Sequence, residues 1–381
     1  MDGMTGPWQA MPLTLVLGAG LLVAPNPAWS MLFYLGVLAP FLWQQRRRPP
    51  WPADAGSLAG IALTGWFTLA TLWDHAAGGD VRPHLLWVWN GLNTLAFFLV
   101  ARAGFGAPGA ARERLVSVLI GAAAANVLVS FALTLMRGFP DGRMNGWAET
   151  RHPILGAAVI GMAVLLAGAR VLAGRQPLRH GAAALLGLGF IVATGSRGPL
   201  IAVLAALGLL LLGTRPRWLA ALAAVGLAAI ALTAAAMPAL VGALRARLLE
   251  RGWSSRLDIW RLALREIAAR PLFGYGPSAR LDRATDNFPH DLFLSTLFYS
   301  GAVGLVLLLA LLALAVRGAW RAQPAASRWT LLALLLNTLL TGISDLSQVT
   351  KGPSPMWYIL WLPVVLALGP VRSHRQADAG A

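Results

Sequence analysis

An arginine interrupts an apolar stretch near the middle of the chain. The apolar run 181–193 ends at Thr194-Gly195-Ser196-Arg197-Gly198-Pro199, and a second run begins at Leu200. A charged side chain in a membrane span costs on the order of 3 kcal/mol on insertion scales, and flanking glycines let a ligand approach the backbone. The helix that starts near Pro199 also points its N-terminal amides at this place. The motif predicts that Arg197 binds an anion; the alternative is an arginine that caps the preceding helix or reaches the membrane interface.

A second arginine and a histidine follow later in the chain. Arg256 falls in the first turn of a helix predicted by the capping-box spacing of Ser255 and Asp258, where a cation opposes the helix dipole. We therefore expect an anion to compensate it. His290 opens another apolar helix, whose positive end and nearby arginines favour a neutral imidazole that can accept a proton. His290 is the candidate general base; the alternatives are a simple helix cap or interface residue, or His152 as the base.

The loops around these positions supply further possible substrate contacts, namely Arg143, Tyr275, Asp345 and Lys351. Acidic residues near His290 could also be drawn as a metal site, because a four-residue spacing brings donors to one helical face. That set is Asp282, Asp286, His290 and Asp291. Arg280 and Arg283 lie among them and would repel a divalent cation, so the sequence predicts no metal. It also predicts no cofactor, because no phosphate-binding loop or dinucleotide motif is present.

The composition is that of an integral membrane protein. Of 381 residues, 57% are hydrophobic and 12% charged, and the mean hydropathy is +0.64, so too little polar surface exists to cover a soluble body of this size. About twelve membrane-spanning helices are predicted, in a single polytopic membrane domain over residues 1–381. The apolar runs fall at 11–24, 28–43, 56–73, 84–101, 115–136, 153–173, 181–194, 199–213, 218–240, 291–316, 328–343 and 356–369.

The net charge of +16 is distributed between the spans rather than in one basic patch, which argues against nucleic-acid binding. Arginines accumulate in alternate loops, including 46–48, so the positive-inside rule predicts that both termini are cytoplasmic and that the candidate site faces the periplasm. The largest outer loop is predicted at 241–289, between the ninth and tenth spans. Its helix is predicted to lie on the membrane through the apolar face formed by Leu257, Trp260, Leu264 and Ile267.

Four motifs resemble the O-antigen ligase and O-antigen polymerase superfamily over about residues 181–305. They are Thr194-Gly195-Ser196-Arg197-Gly198, Ser255-Arg256-Leu257-Asp258-Ile259-Trp260, Pro271-Leu272-Phe273-Gly274-Tyr275-Gly276, and His290-Asp291-Leu292-Phe293-Leu294 leading to Gly301 and Gly304. Asp291 departs from the family, which more often has asparagine there. The modest length of the chain favours a ligase over a polymerase.

The resemblance implies an all-α, GT-C-like membrane glycosyltransferase of the bacterial inner membrane. It implies a donor, O-antigen on undecaprenyl pyrophosphate, and an acceptor, lipid A-core, with membrane lipids as surroundings. It also implies metal-independent transfer with inversion, in which Arg197 and Arg256 bind the pyrophosphate and His290 is the base. An O-antigen polymerase is the alternative within the superfamily. A lipid-linked oligosaccharide flippase is the alternative of another class, although charges clustered at one face are not typical of a transport pathway.

Overall fold

The computed structural model describes residues 10–23, 26–46, 54–74, 81–138, 143–214, 253–281 and 288–370. Within these ranges every regular element is a helix. The predicted span 218–240 lies outside the described residues, as do Asp282, Asp286 and most of the predicted outer loop before Trp253.

The helices follow one another along the chain with short connections. The first half contains α1 Ala10–Leu22, α2 Asn26–Phe33, α3 Ala39–Gln45, α4 Ala55–Leu69, α5 Val81–Phe105 and α6 Ala110–Arg137. The second half contains α7 Pro153–Leu172, α8 Pro177–Ala193, α9 Arg197–Thr214, α10 Trp253–Ala269, α11 Leu292–Trp320, α12 Ala325–Asp345 and α13 Leu362–Leu368. A π-helical turn, Tyr34–Leu38, joins α2 to α3, and another, Trp357–Trp361, leads into α13.

Seven helical stretches among the described residues are long and apolar enough to cross a membrane. They are Ala55–Trp73, Arg82–Phe105, Ala110–Arg137, Pro153–Leu172, Arg197–Thr214, Leu292–Trp320 and Ala325–Asp345. Shorter apolar helices occur at Ala10–Leu22, Pro177–Ala193 and Trp357–Leu368. The protein is therefore an all-helical integral membrane protein, and the total of twelve spans stays a prediction.

Helix α7 lies inside the bundle, where it packs against α6, α8, α9 and α12. Small residues allow this close approach: Gly161 faces Val203 of α9, and Gly187 of α8 faces Val164. Such contacts between small and branched residues hold membrane helices together, because lipid provides little hydrophobic force between them. The packing consequently brings five helix ends to one end of the bundle: the starts of α7, α9 and α11 and the ends of α8 and α12.

Helix α11 is broken at Gly301, which has φ +67°. A Cβ at this position would collide with the backbone of Leu272, so only glycine fits. The amide of Ala302 instead donates to Pro271 O (2.8 Å), and the amide of Tyr275 donates to Phe298 O (2.9 Å). The glycines of the third motif and Gly301 therefore fasten the segment after α10 to α11.

Helix α10 differs in detail from the sequence prediction. It includes Ser254 and Ser255, so the predicted capping box lies inside the helix. The side packed against the protein includes Ala263 and Ile267, whereas Leu257 and Leu264 are 42% and 54% exposed. Helix α10 thus packs on α11 through Ala263 and Ile267, and the exposed leucines leave the predicted contact with the membrane as a prediction.

Candidate functional site

Arg256 of α10 binds the end of α12. Its Nη1 donates to Ser344 O and its Nη2 to Asp345 Oδ1, both at 2.6 Å. The side chain of Asp345 is only 4% exposed, and that of Arg256 is 39% exposed. Asp345 is thus the anion that the poorly placed charge of Arg256 was expected to need. This ion pair joins helix α10 to the end of α12 in the helix bundle.

The start of α9 meets the same carboxylate. Gly195, with φ +62°, turns the chain out of α8, and α9 begins at Arg197. At Gly198 a Cβ would lie 2.5 Å from Asp345 Oδ2 and would also collide with Ser344 Oγ. The missing side chain of Gly198 therefore lets the first turn of α9 press against the end of α12. The two predicted arginine motifs come together through Asp345, and Arg197 itself is half-buried.

Arg143 braces this turn from the loop before α7. Its Nε donates to Thr194 O (2.8 Å) and its Nη2 to Ser196 Oγ (3.1 Å). The amide of the next residue, Met144, donates to Ala193 O (3.0 Å). The guanidinium therefore holds one backbone carbonyl and one side-chain hydroxyl of the turn that carries Arg197. The structure brings Arg143 to the predicted site as a residue that positions the turn.

His290 lies at the entrance to α11 but does not cap it. Asp291 Oδ1 accepts hydrogen bonds from the amides of Phe293 and Leu294, both at 2.8 Å, so the cap is the aspartate. His290 itself has φ +50°, a conformation uncommon outside glycine. The preceding carbonyl, Pro289 O, accepts from Trp260 Nε1 of α10 (2.9 Å). The alternative reading of His290 as a simple helix cap is therefore wrong.

The imidazole of His290 is held in its neutral form mainly by burial. Burial lowers its pKa below the ordinary value of 6.5, the charge of Arg256 lowers it further, and Asp345 opposes the shift. The direction agrees with the sequence prediction, although the main cause is burial. A neutral imidazole close to Arg256 can accept a proton at neutral pH.

His152 lies near the same group of charges. Partial burial lowers its pKa most, followed by Arg143, while Asp345 acts in the opposite direction; His290 and Lys351 lower it as well. However, its Nδ1 accepts the amide of Leu155 (3.3 Å) and caps α7. One ring nitrogen of His152 therefore caps a helix, whereas neither ring nitrogen of His290 caps α11.

The sequence analysis did not select Glu149. Its pKa is nevertheless shifted, and it shares a charged neighbour, Lys351, with His152. It is 7% exposed, and burial raises its pKa from 4.5 to about 7 against the opposing charges of Arg151 and Lys351. Lys351, which the sequence analysis did select, is exposed and is a charged neighbour of both Glu149 and His152. A lone acid in a short loop carries no sequence signal of burial, so Glu149 could be recognised only in the fold.

Tyr275 is placed elsewhere. Its hydroxyl lies 3.0 Å from Glu266 Oε2, its ring stacks on Phe298 with centroids 5.1 Å apart, and the guanidinium carbon of Arg270 lies 5.0 Å from the ring. These contacts fix the junction of α10 and α11. The structure does not bring Tyr275 together with the arginines and His290.

The structure describes only some of the residues that could form the alternative metal site. Asp291 Oδ1 is occupied by the two amides that it caps, and Asp282 and Asp286 lie outside the described residues. Among the residues that the structure does describe, no cluster of three His, Asp or Glu side chains is arranged to hold a metal ion. The absence of a metal and of a cofactor stays a prediction.

The fold and the site define a class: an integral membrane protein, all helical, with arginine motifs and a neutral histidine at one end of its bundle. Residues 182–309 match the family model described as O-Antigen ligase. Over 373 residues the chain is 31% identical to the O-antigen ligase of Pseudomonas aeruginosa, an alignment that covers 90% of this chain and 86% of that relative. The chain belongs to the O-antigen ligase family.

Proposed function

We propose that this protein transfers O-antigen from undecaprenyl pyrophosphate to a sugar hydroxyl of lipid A-core. The observation that carries the proposal is the meeting of Arg256, Gly198 of the Arg197 turn and Asp345 beside a neutral His290. Family membership supports the reaction class, since the P. aeruginosa relative is named an O-antigen ligase. We place the protein in the bacterial inner membrane, with both termini cytoplasmic and the site at the periplasmic face.

The arginines serve the leaving group. A lipid pyrophosphate departs readily once its developing charge is stabilised, so no acid catalyst is required on that side. Arg197 and Arg256 supply this charge, and the N-terminal amides of α9 add to it. Arg143 keeps the turn that carries Arg197 in place.

His290 serves the acceptor. Its neutral imidazole takes the proton of the acceptor hydroxyl while the oxygen bonds to the anomeric carbon. The bond from that carbon to the phosphate oxygen breaks with its electron pair, and undecaprenyl pyrophosphate leaves. A single displacement inverts the anomeric centre. The imidazolium then releases its proton to solvent, so the step needs neither a metal nor an energy source beyond the glycosyl phosphate bond.

The decisive experiment is ligation with purified protein. Lipid-linked O-antigen and rough lipopolysaccharide are incubated with the protein in detergent, and the products are separated on a gel. Appearance of O-antigen on lipid A-core supports the proposal. Longer lipid-linked chains without modified core would indicate a polymerase, and movement of the donor across vesicles without new bonds would indicate a flippase.

Variants test the site itself. His290→Ala should abolish transfer while the donor still binds, because a base acts on the acceptor. Arg256→Ala should weaken donor binding and transfer. Arg261→Ala is the matched control, since Arg261 lies on the same helix in an exposed ion pair with Asp258. Near wild-type transfer by His290→Ala would rule out its role as the base.

Orientation is tested by labelling. The chain has no cysteine, so single cysteines can be read without background. Asp258→Cys on α10 should react with an impermeant reagent from the periplasm, whereas Ala325→Cys at the start of α12 should react only after the membrane is opened. The reverse pattern would place the site in the cytoplasm and contradict the proposal.

A further inference from the structure

Glu149 is a largely buried acid in the short loop between Arg143 and His152. It lies in the 3-10 turn Ala148–Thr150 between α6 and α7 and is 7% exposed. No residue in the described part of the chain donates a hydrogen bond to its carboxylate. Buried polar groups are nearly always hydrogen-bonded in folded proteins, and an unpaired one calls for an explanation such as a catalytic role, strain or a bound molecule.

The turn that carries Glu149 is firmly held. Asn126 of α6 donates through Nδ2 to Trp147 O (2.8 Å), and its Oδ1 accepts from Thr150 Oγ1 (2.8 Å). Trp147 Nε1 donates to Leu22 O (3.1 Å). Ala148 has φ +52°, which costs free energy in a residue with a side chain and persists only where surrounding contacts impose it. The position of Glu149 is thus set by the fold.

The surroundings of Glu149 lead to the candidate site. The carboxylate of Glu149 interacts electrostatically with Arg151, next to the same turn, and with Lys351 in the loop after α12. It also interacts with the phenol of Tyr358. Lys351 is in turn a neighbour of His152, and His152 interacts with His290. Glu149 also shares the loop 143–152 with Arg143, which holds the turn before Arg197, and with His152 at the start of α7.

We propose that Glu149 accepts a hydrogen bond from a hydroxyl of the acceptor sugar and, with Lys351 at the rim, forms the acceptor subsite. The inference rests on the proposed ligase function. A sugar hydroxyl fits this place because it donates a hydrogen bond without bringing charge. The pyrophosphate of the donor does not fit, because a carboxylate repels phosphate. Glu149 thereby separates the acceptor side from the arginines.

The test measures acceptor and donor kinetics separately. Glu149→Gln preserves shape but removes the charge, and at pH 8 it should raise the KM for rough lipopolysaccharide about tenfold while the KM for lipid-linked O-antigen stays unchanged. Asp258→Asn, at an exposed carboxylate on α10, is the matched control and should leave both values unchanged. An unchanged acceptor KM in Glu149→Gln, or a rise in the donor KM instead, would overturn the proposal.

The pH profile supplies a readout that a merely structural role would not change. In the wild type, kcat/KM for the acceptor should rise around pH 7 as Glu149 ionises, in addition to the rise below pH 6.5 caused by His290. Glu149→Gln should lose the upper rise and keep the lower one. A variant profile identical to the wild type would contradict the inference. Failure of the wild type to ligate at all would instead refute the proposed function.

Discussion

Removing the guanidinium of Arg256 should have two effects, one on stability and one on activity, that a second substitution separates. In Arg256→Ala the carboxylate of Asp345, 4% exposed, loses its ion pair. Breaking a fully buried pair on one side costs about 3–5 kcal/mol. Because the side chain of Arg256 is 39% exposed, water replaces part of the interaction. We therefore expect a loss of about 2 kcal/mol in the free energy of unfolding.

The double variant Arg256→Ala/Asp345→Asn removes the stranded charge and should recover most of that stability. Ligation should not recover, because two hydrogen bonds from guanidinium to phosphate, at about 1.5 kcal/mol or more each, correspond to at least a hundredfold in rate. The double variant would thus be stable and inactive. This pattern would show that Arg256 acts on the substrate as well as on the fold.

Stability is measured by thermal unfolding of purified protein in detergent, where about 2 kcal/mol corresponds to a few degrees in Tm. Activity is measured by ligation under the same conditions. Arg261→Ala, which breaks the exposed pair with Asp258, should change stability by less than about 0.5 kcal/mol and leave ligation unchanged. If the double variant regained ligation together with stability, Arg256 would have only a structural role and the reasoning would be refuted.

Four further predictions follow from the site. The rate of transfer should fall as pH drops below 6.5, since the lowered pKa of His290 keeps it neutral above that value; a rate that increases on acidification would exclude it as the base. Excess chelator should leave transfer by metal-stripped enzyme intact, and rescue by Mg²⁺ or Mn²⁺ would contradict an arginine-based mechanism. Gly198→Ala should reduce transfer strongly, because a Cβ would lie 2.5 Å from Asp345 Oδ2; Gly208→Ala, where a Cβ has open space, is the control, and equal activities would show that the contact is unimportant. Folding raises the pKa of Glu149 from 4.5 to about 7, so burying this side chain costs no stability below pH 4.5 and about 3 kcal/mol above pH 7. Glu149→Gln should therefore raise Tm at pH 8 but not near pH 4.5. An equal shift in Tm at both pH values would refute the assignment.

Local patterns in the sequence were sufficient to locate the arginine break and the histidine. The apolar runs predicted the membrane helices because bilayer thickness sets their length. Arg197 stood out because charge is costly between such runs, and His290 because it precedes one. The capping role of Asp291 could also have been predicted, since an aspartate directly before an apolar run is a favoured N-cap.

Long-range partners could not be predicted in this way. Asp345 is 89 positions from Arg256, and only the packing of α9 against α12 shows why Gly198 has no side chain. Tyr275 was predicted as a possible substrate contact from its place in the outer loop, yet the glycines beside it fit against α11 near the break at Gly301. Burial of Glu149 likewise depends on contacts from separate helices. Sequence spacing reports local geometry, whereas these features arise from tertiary packing.

The charge balance of the site explains why one arginine would be insufficient. Asp345 neutralises Arg256 through a direct ion pair, so this pair alone offers an approaching pyrophosphate diester little net attraction. Four positive charges lie nearby, on Arg143, Arg151, Arg197 and Lys351, and Glu149 sets one negative charge against them when ionised. The described residues of the site thus carry about three excess positive charges, enough to attract the two negative charges of the proposed pyrophosphate donor. Because Asp345 fixes Arg256 before substrate arrives, the guanidinium is already oriented, and binding energy is not spent on ordering it.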